Sequence, residues 1–109
     1  MVEVILHYHG KILTGIEARG HSGFAEKGND IVCAAVSTLM QALMFGLSDI
    51  AKINGADYHV NERVPLMRVT WPESESINIS LLTGTISESL KIIARDNPGH
   101  VKIYSEVKS

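Results

Sequence analysis

The chain has 109 residues, a length typical of one domain with a single hydrophobic core. Hydrophobic residues make up 45% of it and charged residues 20%, which is typical of a folded globular protein and excludes a disordered one. The formal net charge is −2, and Lys and Arg are scattered singly, so there is no general electrostatic reason for direct contact with nucleic acid. We therefore expect one domain over residues 1–109 and no nucleic-acid partner.

The cysteine content and the N-terminal stretch indicate the cellular compartment of the protein. A single cysteine excludes an intramolecular disulfide, which is typical of a reducing compartment. The opening MVEVILHYHGKI has an early acidic residue and no small-residue cleavage site, unlike a signal peptide. Since no uninterrupted apolar run approaches the length of a membrane span, we expect a cytoplasmic protein without membrane contact.

The first thirty residues predict two strands and a loop. Apolar and polar residues alternate over residues 2–9, and Gly10-Lys11 is typical of a tight turn into a second strand over residues 12–20. A polar loop with a glycine near each end follows over residues 22–29.

A long helix is predicted from Ile31 to about Ile53, because apolar residues recur there at helical spacing. Asn29 or Asp30 is a suitable N-cap, since either side chain can accept a hydrogen bond from a backbone N–H of the first turn. This assignment places Cys33 in the first turn of the helix.

The second half of the chain predicts two strands, a helix and a last strand. The predicted elements are strands over residues 58–61 and 66–71, a helix from Ser74 or Ser76 to about Arg95, and a strand over residues 101–104. Pro65 belongs at the start or edge of its strand because it cannot donate to a ladder. The order β-β-α-β-β-α-β predicts an α+β fold, an α/β sandwich of a mixed sheet of about five strands with two helices on one or both faces.

Cys33 and His21 are candidates for a catalytic pair. At a helix start, unpaired N–H groups and the positive end of the dipole stabilise a thiolate and can hold the oxyanion formed when it attacks a peptide carbonyl. His21, twelve residues earlier at a strand end, can activate the thiol as a base and protonate the leaving amine as an acid. The alternative is a small core side chain and an exposed loop histidine, which the pattern by itself favours.

Two neighbours of the pair also have two interpretations. Asp30 can cap the helix, or it can orient the histidine, although its charge would oppose thiolate formation. Ser37 lies one turn after Cys33, and can donate to a substrate or the sulfur, or bond back to its own helix.

Metal and nucleotide sites have less support. His7 and His9 point to one side of the first strand, and the candidates to complete a zinc site with them are His59, His100 and Cys33. No third ligand has a recognisable local spacing. The stretch GIEARGHSG lacks the ending of a phosphate loop. We expect no metal and no cofactor.

Three aromatic side chains offer one further alternative. A stacking surface for RNA bases is one interpretation of Trp71, Tyr58 and Tyr104, although packing in the core or at a sheet edge is the commoner role.

The segment from Gly20 to Ser37 resembles the Prp family of bacterial ribosomal-processing cysteine proteases. The family motif is Gly-His, a Gly-rich loop and then Asp-Ile-Val-Cys-Ala-Ala-Val-Ser, which stands here as Gly20-His21, SGFAEKG and NDIVCAAVS. Two separated blocks agree at the spacing that the family uses, whereas the C-terminal half adds little at the level of residues.

The resemblance implies a homodimeric cysteine endopeptidase that removes the N-terminal extension of large-subunit ribosomal protein number twenty-seven, cutting after an aromatic pair. It implies His21 as base and Cys33 as nucleophile, with Asp30 and Ser37 in supporting roles. The loop between the pair is expected to be mobile and to order over substrate, and its flexible positions are Gly20, Gly23 and Gly28.

Two rival functions remain. A non-catalytic ribosome-associated binding module with a structural Cys33 predicts an inert thiol, whereas the protease predicts fast alkylation near neutral pH. A zinc-binding adaptor predicts stoichiometric metal and loss of the fold with chelator.

Overall fold

The computed structural model describes residues 1–20, 27–63 and 66–109, with residues 27–30 as backbone only. The elements in chain order are β1 (Val2–His9), β2 (Ile12–Arg19), α1 (Lys27–Phe45), a π-helical turn (Gly46–Ile50), β3 (Asp57–Asn61), β4 (Leu66–Thr70), a 3-10 turn (Glu73–Glu75), α2 (Ser80–Asp96) and β5 (Val101–Lys108). The expected α+β order is confirmed. His21, Gly23 and Pro65, to which predictions above refer, lie outside the described residues.

The five strands form one mixed sheet in the order β3-β4-β2-β1-β5. The pairs β1–β2, β2–β4 and β3–β4 are antiparallel, and β1–β5 is parallel. β3 and β5 are therefore the edge strands, and β2, which leads toward His21, lies in the middle.

Both helices pack on the same face of the sheet. α1 lies over β2 and β4, and α2 lies over β5. The core between the layers contains apolar side chains with no exposed surface, among them Val4, Leu6, Met40, Leu43 and Leu90. The apolar side chains at helical spacing on α1 pack here against the apolar side chains at alternate positions of β1, because each element turns its apolar side toward the core.

The opposite face of the sheet carries an ionic network in place of a helix. Its centre is Glu17, whose side chain is only 9% exposed and whose two oxygens lie 3.3 Å from His7 Nε2 and 3.5 Å from an Arg19 guanidinium nitrogen. Arg19 also faces Glu3 at 3.7 Å, and the Tyr104 hydroxyl donates to Glu3 at 3.1 Å. A carboxylate that would be costly to bury alone is thus held by the Arg19 guanidinium on its own strand and by the His7 imidazole on the neighbouring strand.

α1 begins at Lys27, four residues earlier than the sequence predicts. Asn29 and Asp30 lie inside the helix and do not cap it, and Gly28 is its second residue and not part of the loop. Cys33 is the seventh residue, in the second turn, so the prediction of the first turn is wrong. Once the apolar stripe is docked, a helix extends at little cost into preceding residues that tolerate helical backbone, and a local cap signal does not prevent this.

The long helix changes its winding at Gly46. α1 ends at Phe45, and the chain continues to Ile50 as a π-helical turn in which the Ala51 N–H donates to the Gly46 carbonyl at 2.8 Å. A Cβ added at Gly46 would lie 2.6 Å from a methyl of Leu82 on α2. Glycine therefore permits the close approach of the two helices at this point, which the apolar period does not reveal.

The last two elements also differ from their predicted bounds. α2 begins at Ser80, and neither Ser74 nor Ser76 caps it; the Ser76 hydroxyl donates instead to the carbonyl of Leu13. β5 continues to Lys108, four residues beyond the predicted end, because it pairs in parallel with the whole length of β1.

The three aromatic side chains do not form one surface, so the stacking alternative for the set is wrong. Trp71 is buried, and its indole N–H donates to the carbonyl of Leu13 at 2.9 Å. Tyr58 lies beside buried Val69 on the helix side of β3, whereas Tyr104 lies on the open face of β5.

The helical run Ile31–Ile50 has a mean hydropathy of 1.8 and, by length and composition alone, is long and apolar enough to cross a membrane. This differs from the expectation that no run approaches a membrane span. In this fold its buried stripe covers the sheet, as in the core helix of a globular protein.

Candidate active site

Cys33 lies on α1 at the border between the core and solvent. Its helix neighbours Val32 and Val36 are 4% and 1% exposed and hold this stretch of α1 on the sheet. Cys33 itself is half-buried and packs against the edge of the core. Ser37 is also half-buried and lies one turn further along the same flank, as its spacing predicts. A thiol at such a border can be reached by a substrate while its backbone is held rigidly.

The flank that carries Cys33 faces away from α2. Ala35 and Leu39, each two residues further along than Cys33 and Ser37, are rotated by about 200° from them and line a groove against α2. Because α2 lies over the β5 end of the sheet, the Cys33 flank faces the β4–β3 end.

β2 leads the chain to His21 through Gly20. Gly20 has a φ of +85°, and a Cβ added there would lie 2.7 Å from the backbone carbonyl oxygen of Met1. Both the conformation and the close approach favour glycine, so this motif position has a structural reason. The pairing of His21 with Cys33 and the role of Gly23 concern positions outside the described residues, as does the side chain of Asp30.

The two histidines of β1 line one cleft of about 420 Å³ on the open face of the sheet, which confirms that they share a side. His7 lies between Glu17 at 3.3 Å and Glu106 at 3.6 Å, and His9 Nδ1 lies 2.9 Å from a Glu73 oxygen. Each histidine thus faces its own carboxylates. Within the described ranges, no group of three or more His, Cys, Asp or Glu residues is arranged to hold a metal ion.

A larger apolar groove of about 550 Å³ lies between the two helices. Its lining consists of small and aliphatic side chains from both, namely Ala34, Ala35, Thr38, Leu39, Ser89, Ile92 and Ile93. The groove is on the opposite flank of α1 from Cys33, so it does not lead to the thiol.

Two further side chains lie on the Cys33 side of the sheet, and the motif around Cys33 indicates neither of them. Tyr58 and Val60 lie on the helix side of β3, opposite buried Val69 and Met67, yet they are 38% and 54% exposed. Alternation within residues 58–61 indicates that the two share a face, but only the sheet order shows that β3 is an edge strand that α1 does not cover.

Comparison with known proteins identifies the family. The chain matches the family Cysteine protease Prp over residues 1–102. It is 34% identical over 89 residues to the ribosomal processing cysteine protease Prp of Mycoplasma genitalium, a match that covers 82% of this chain and 85% of the relative. The chain belongs to the Prp family of cysteine proteases. It is therefore a cysteine protease, and Cys33 is the only cysteine in its sequence.

Solved structures share this fold over nearly the whole chain. SMU.848 from Streptococcus mutans superposes with a TM-score of 0.87 at 26% identity, covering 99% of this chain and 96% of that one. Prp from S. aureus in complex with a substrate peptide superposes with a TM-score of 0.84 at 18% identity, covering 97% and 100%. The α+β fold expected from the sequence is confirmed by these likenesses.

Proposed function

We propose that this protein is an endopeptidase that removes the N-terminal extension of large-subunit ribosomal protein number twenty-seven in the cytoplasm, cutting after an aromatic pair as a step of ribosome assembly. Membership of a cysteine protease family in a chain with one cysteine carries the proposal. The M. genitalium relative is named a ribosomal processing protease, and the S. aureus relative binds a substrate peptide in its crystal structure.

In the proposed reaction, the Cys33 thiolate attacks the scissile carbonyl carbon while His21 holds the proton taken from the thiol. Collapse of the tetrahedral intermediate breaks the C–N bond, and His21 returns the proton to the leaving amine. Water, deprotonated by His21, then attacks the thioester, which releases the new carboxylate and restores the thiol. No cofactor takes part in this sequence.

The start of α1 changes which groups can assist. In a helix that begins at Lys27, the N–H of Cys33 is used within the helix, so the oxyanion needs other donors. Ser37, on the same flank as Cys33, is the supporting donor that we propose toward the substrate or the sulfur. Asp30 is proposed to orient His21, and Gly20 and Gly23 to let the intervening loop order over substrate.

The decisive experiment is mass spectrometry of the ribosomal protein precursor after incubation with this protein or with Cys33→Ala. We expect one cut after an aromatic pair with the unsubstituted chain and none with Cys33→Ala, while circular dichroism shows the same fold for both. Thr85→Ala, at an exposed position on α2, serves as the control and keeps full cleavage, because it leaves the nucleophile and its proposed partners in place.

Two results would count against the protease. Cleavage by Cys33→Ala at the original rate would exclude the nucleophile. An intact precursor together with slow alkylation of the thiol at neutral pH would favour the non-catalytic ribosome-associated binding module.

A homodimer is part of the same proposal. No charged residue occurs between Asp30 and Asp49, yet the outward side of α1 exposes Ile31 by 73% and Phe45 by 57%. An uncharged outer helix face beside an apolar groove is typical of a surface that a partner covers. The occupant that we propose is a second copy of this chain, as the resemblance to the Prp family implies.

A further inference from the structure

Two of the grooves formed by the described residues do not reach a peptide whose carbonyl lies at Cys33. The apolar groove between α1 and α2 lies on the opposite flank of α1. The cleft with His7 and His9 lies on the open face, with the sheet between it and α1. Within the part of the chain that the structure describes, the surface beside Cys33 is the angle between the Cys33 flank and the helix side of β3.

This surface, which we name the β3 shelf, has Cys33, Ser37 and Met44 along one side and Val60 and Tyr58 along the other. The helix residues are half-buried, whereas Val60 and Tyr58 are exposed although they occupy helix-side positions. α1 covers β4 and stops short of the edge strand, so an apolar strip of β3 remains open.

Tyr58 on β3 lies near Asp49 at the end of the long helix. Burial raises the pKa of Tyr58, and the Asp49 carboxylate of the π-helical turn raises that pKa further. A Coulombic effect of this kind requires that the two side chains lie close together. β3 therefore runs back along the helix from Tyr58, near Asp49, through Val60 toward the Cys33 end.

We infer that the β3 shelf binds the extended substrate chain, and that Val60 contacts an apolar substrate side chain at a distance from the aromatic pair. The inference rests on the proposed function and adds a specificity-determining residue to it. The shelf is uncharged from Cys33 to Met44, so the matching stretch of substrate is apolar or neutral.

The length of the shelf sets which substrate residue Val60 contacts. Met44 lies eleven positions after Cys33 on the helix, which corresponds to a rise of roughly 16 Å. An extended peptide covers that distance in about five residues. Met44 and Tyr58 mark the far end of the shelf, roughly five substrate residues from the scissile bond. Val60 lies two strand residues nearer the Cys33 end and therefore faces a substrate position about three residues from that bond.

Peptide cleavage by Val60→Ser tests the inference. We expect KM to rise about tenfold with kcat nearly unchanged, because the lost contact is made equally in the ground state and the transition state. Val107→Ser is the matched control, since Val107 is also an exposed valine on an edge strand, at the other end of the sheet. An unchanged KM for Val60→Ser, or an equal rise for Val107→Ser, would overturn the inference.

A binding measurement separates failure of the inference from failure of the proposed function. A precursor-derived peptide with a photoreactive side chain three to five residues from the cut is added to the Cys33→Ala protein and irradiated. Crosslinks within residues 57–61 support the shelf whether or not the unsubstituted chain cleaves. Crosslinks to Ile92 in the groove between the helices, or none at saturating peptide, overturn it.

Discussion

Gly20 joins the sheet to the proposed catalytic histidine through a backbone conformation that other residues rarely adopt. Its φ is +85°, and the Met1 carbonyl leaves no room for a Cβ. The family motif Gly-His therefore combines a conformational requirement with a chemical one. A sequence motif shows that the two residues occur together, whereas the structure gives the physical reason for the first of them.

Gly20→Ala is expected to lower cleavage strongly and to destabilise the fold by about 1–2 kcal/mol, because alanine at a positive φ is strained and its Cβ contacts the Met1 backbone. Urea unfolding and peptide cleavage measure the two effects. Gly99→Ala is the control: Gly99 has a φ of +91° but open space around it, so we expect loss of stability with cleavage retained. Equal cleavage by both variants would contradict the proposed role of the Gly20 position.

The pKa of Tyr58 depends on the distance between β3 and the π-helical turn that carries Asp49. We expect Asp49→Asn to lower the pKa of Tyr58 toward its ordinary value, with a remainder because burial also raises it. Because the pKa of Tyr58 is raised in the folded state, the contribution of Tyr58 to folding stability is fully present below its ordinary pKa of 10.0. That contribution is lost as the pH rises through the pKa of the folded state. The effect of Asp49 on folding stability through Tyr58 is therefore expected at alkaline pH.

Ultraviolet titration of tyrosinate, with Tyr58→Phe to identify the signal, measures this shift. Asp57→Asn is the control, since Asp57 is also an acidic residue close to Tyr58 in sequence, whereas the charge that raises the pKa of Tyr58 is that of Asp49. A pKa for Tyr58 that does not change in Asp49→Asn would contradict the placement of β3.

At the scale of elements, periodicity located every helix and strand but misplaced several ends. β5 is an example: its residues 105–108 have no clear apolar period, and they form strand because β1 offers a parallel partner along its full length. The start of α1 is another, because a docked apolar stripe extends the helix past a local cap signal. Ends depend on the neighbouring element, whereas the middle of an element depends on its own side chains.

Two glycines on the packed helices should respond oppositely to alanine. Gly46→Ala is expected to destabilise the fold by about 1–3 kcal/mol, because the new Cβ would lie 2.6 Å from a Leu82 methyl. Gly84→Ala is expected to stabilise it by about 0.5–1 kcal/mol, because Gly84 is inside α2 with open space where the Cβ would be. The midpoints of denaturant unfolding measure both changes. A loss of stability in Gly84→Ala would contradict the expectation and show a contact at that position.

At the scale of the whole molecule, α1 presents a different surface on each of two opposite flanks. One flank carries the thiol and faces the open edge of the sheet, and the other lines the apolar groove against α2. If a second copy covers the groove, substrate and partner do not compete for the same surface. A dimer can therefore bind two peptides at once.

Sedimentation equilibrium tests the dimer with Thr38→Arg, which places a charge in the groove between the helices. We expect a dimer for the unsubstituted chain and a monomer for Thr38→Arg, because burying an unpaired charge is strongly unfavourable. Ser48→Arg, at an exposed position outside the groove, should remain dimeric. A monomeric unsubstituted chain at high concentration would exclude the homodimer.

The amino-acid sequence by itself determined the type and order of the elements, the apolar stripe of α1 and the candidate nucleophile. These follow from local periods and from a motif around the only cysteine, and both are properties of neighbouring residues. The tertiary structure alone decided the sheet order, the start of α1 ahead of Cys33, the close approach at Gly46 and the exposure of Val60. Each of these depends on contacts between residues far apart in the chain, which no local pattern records.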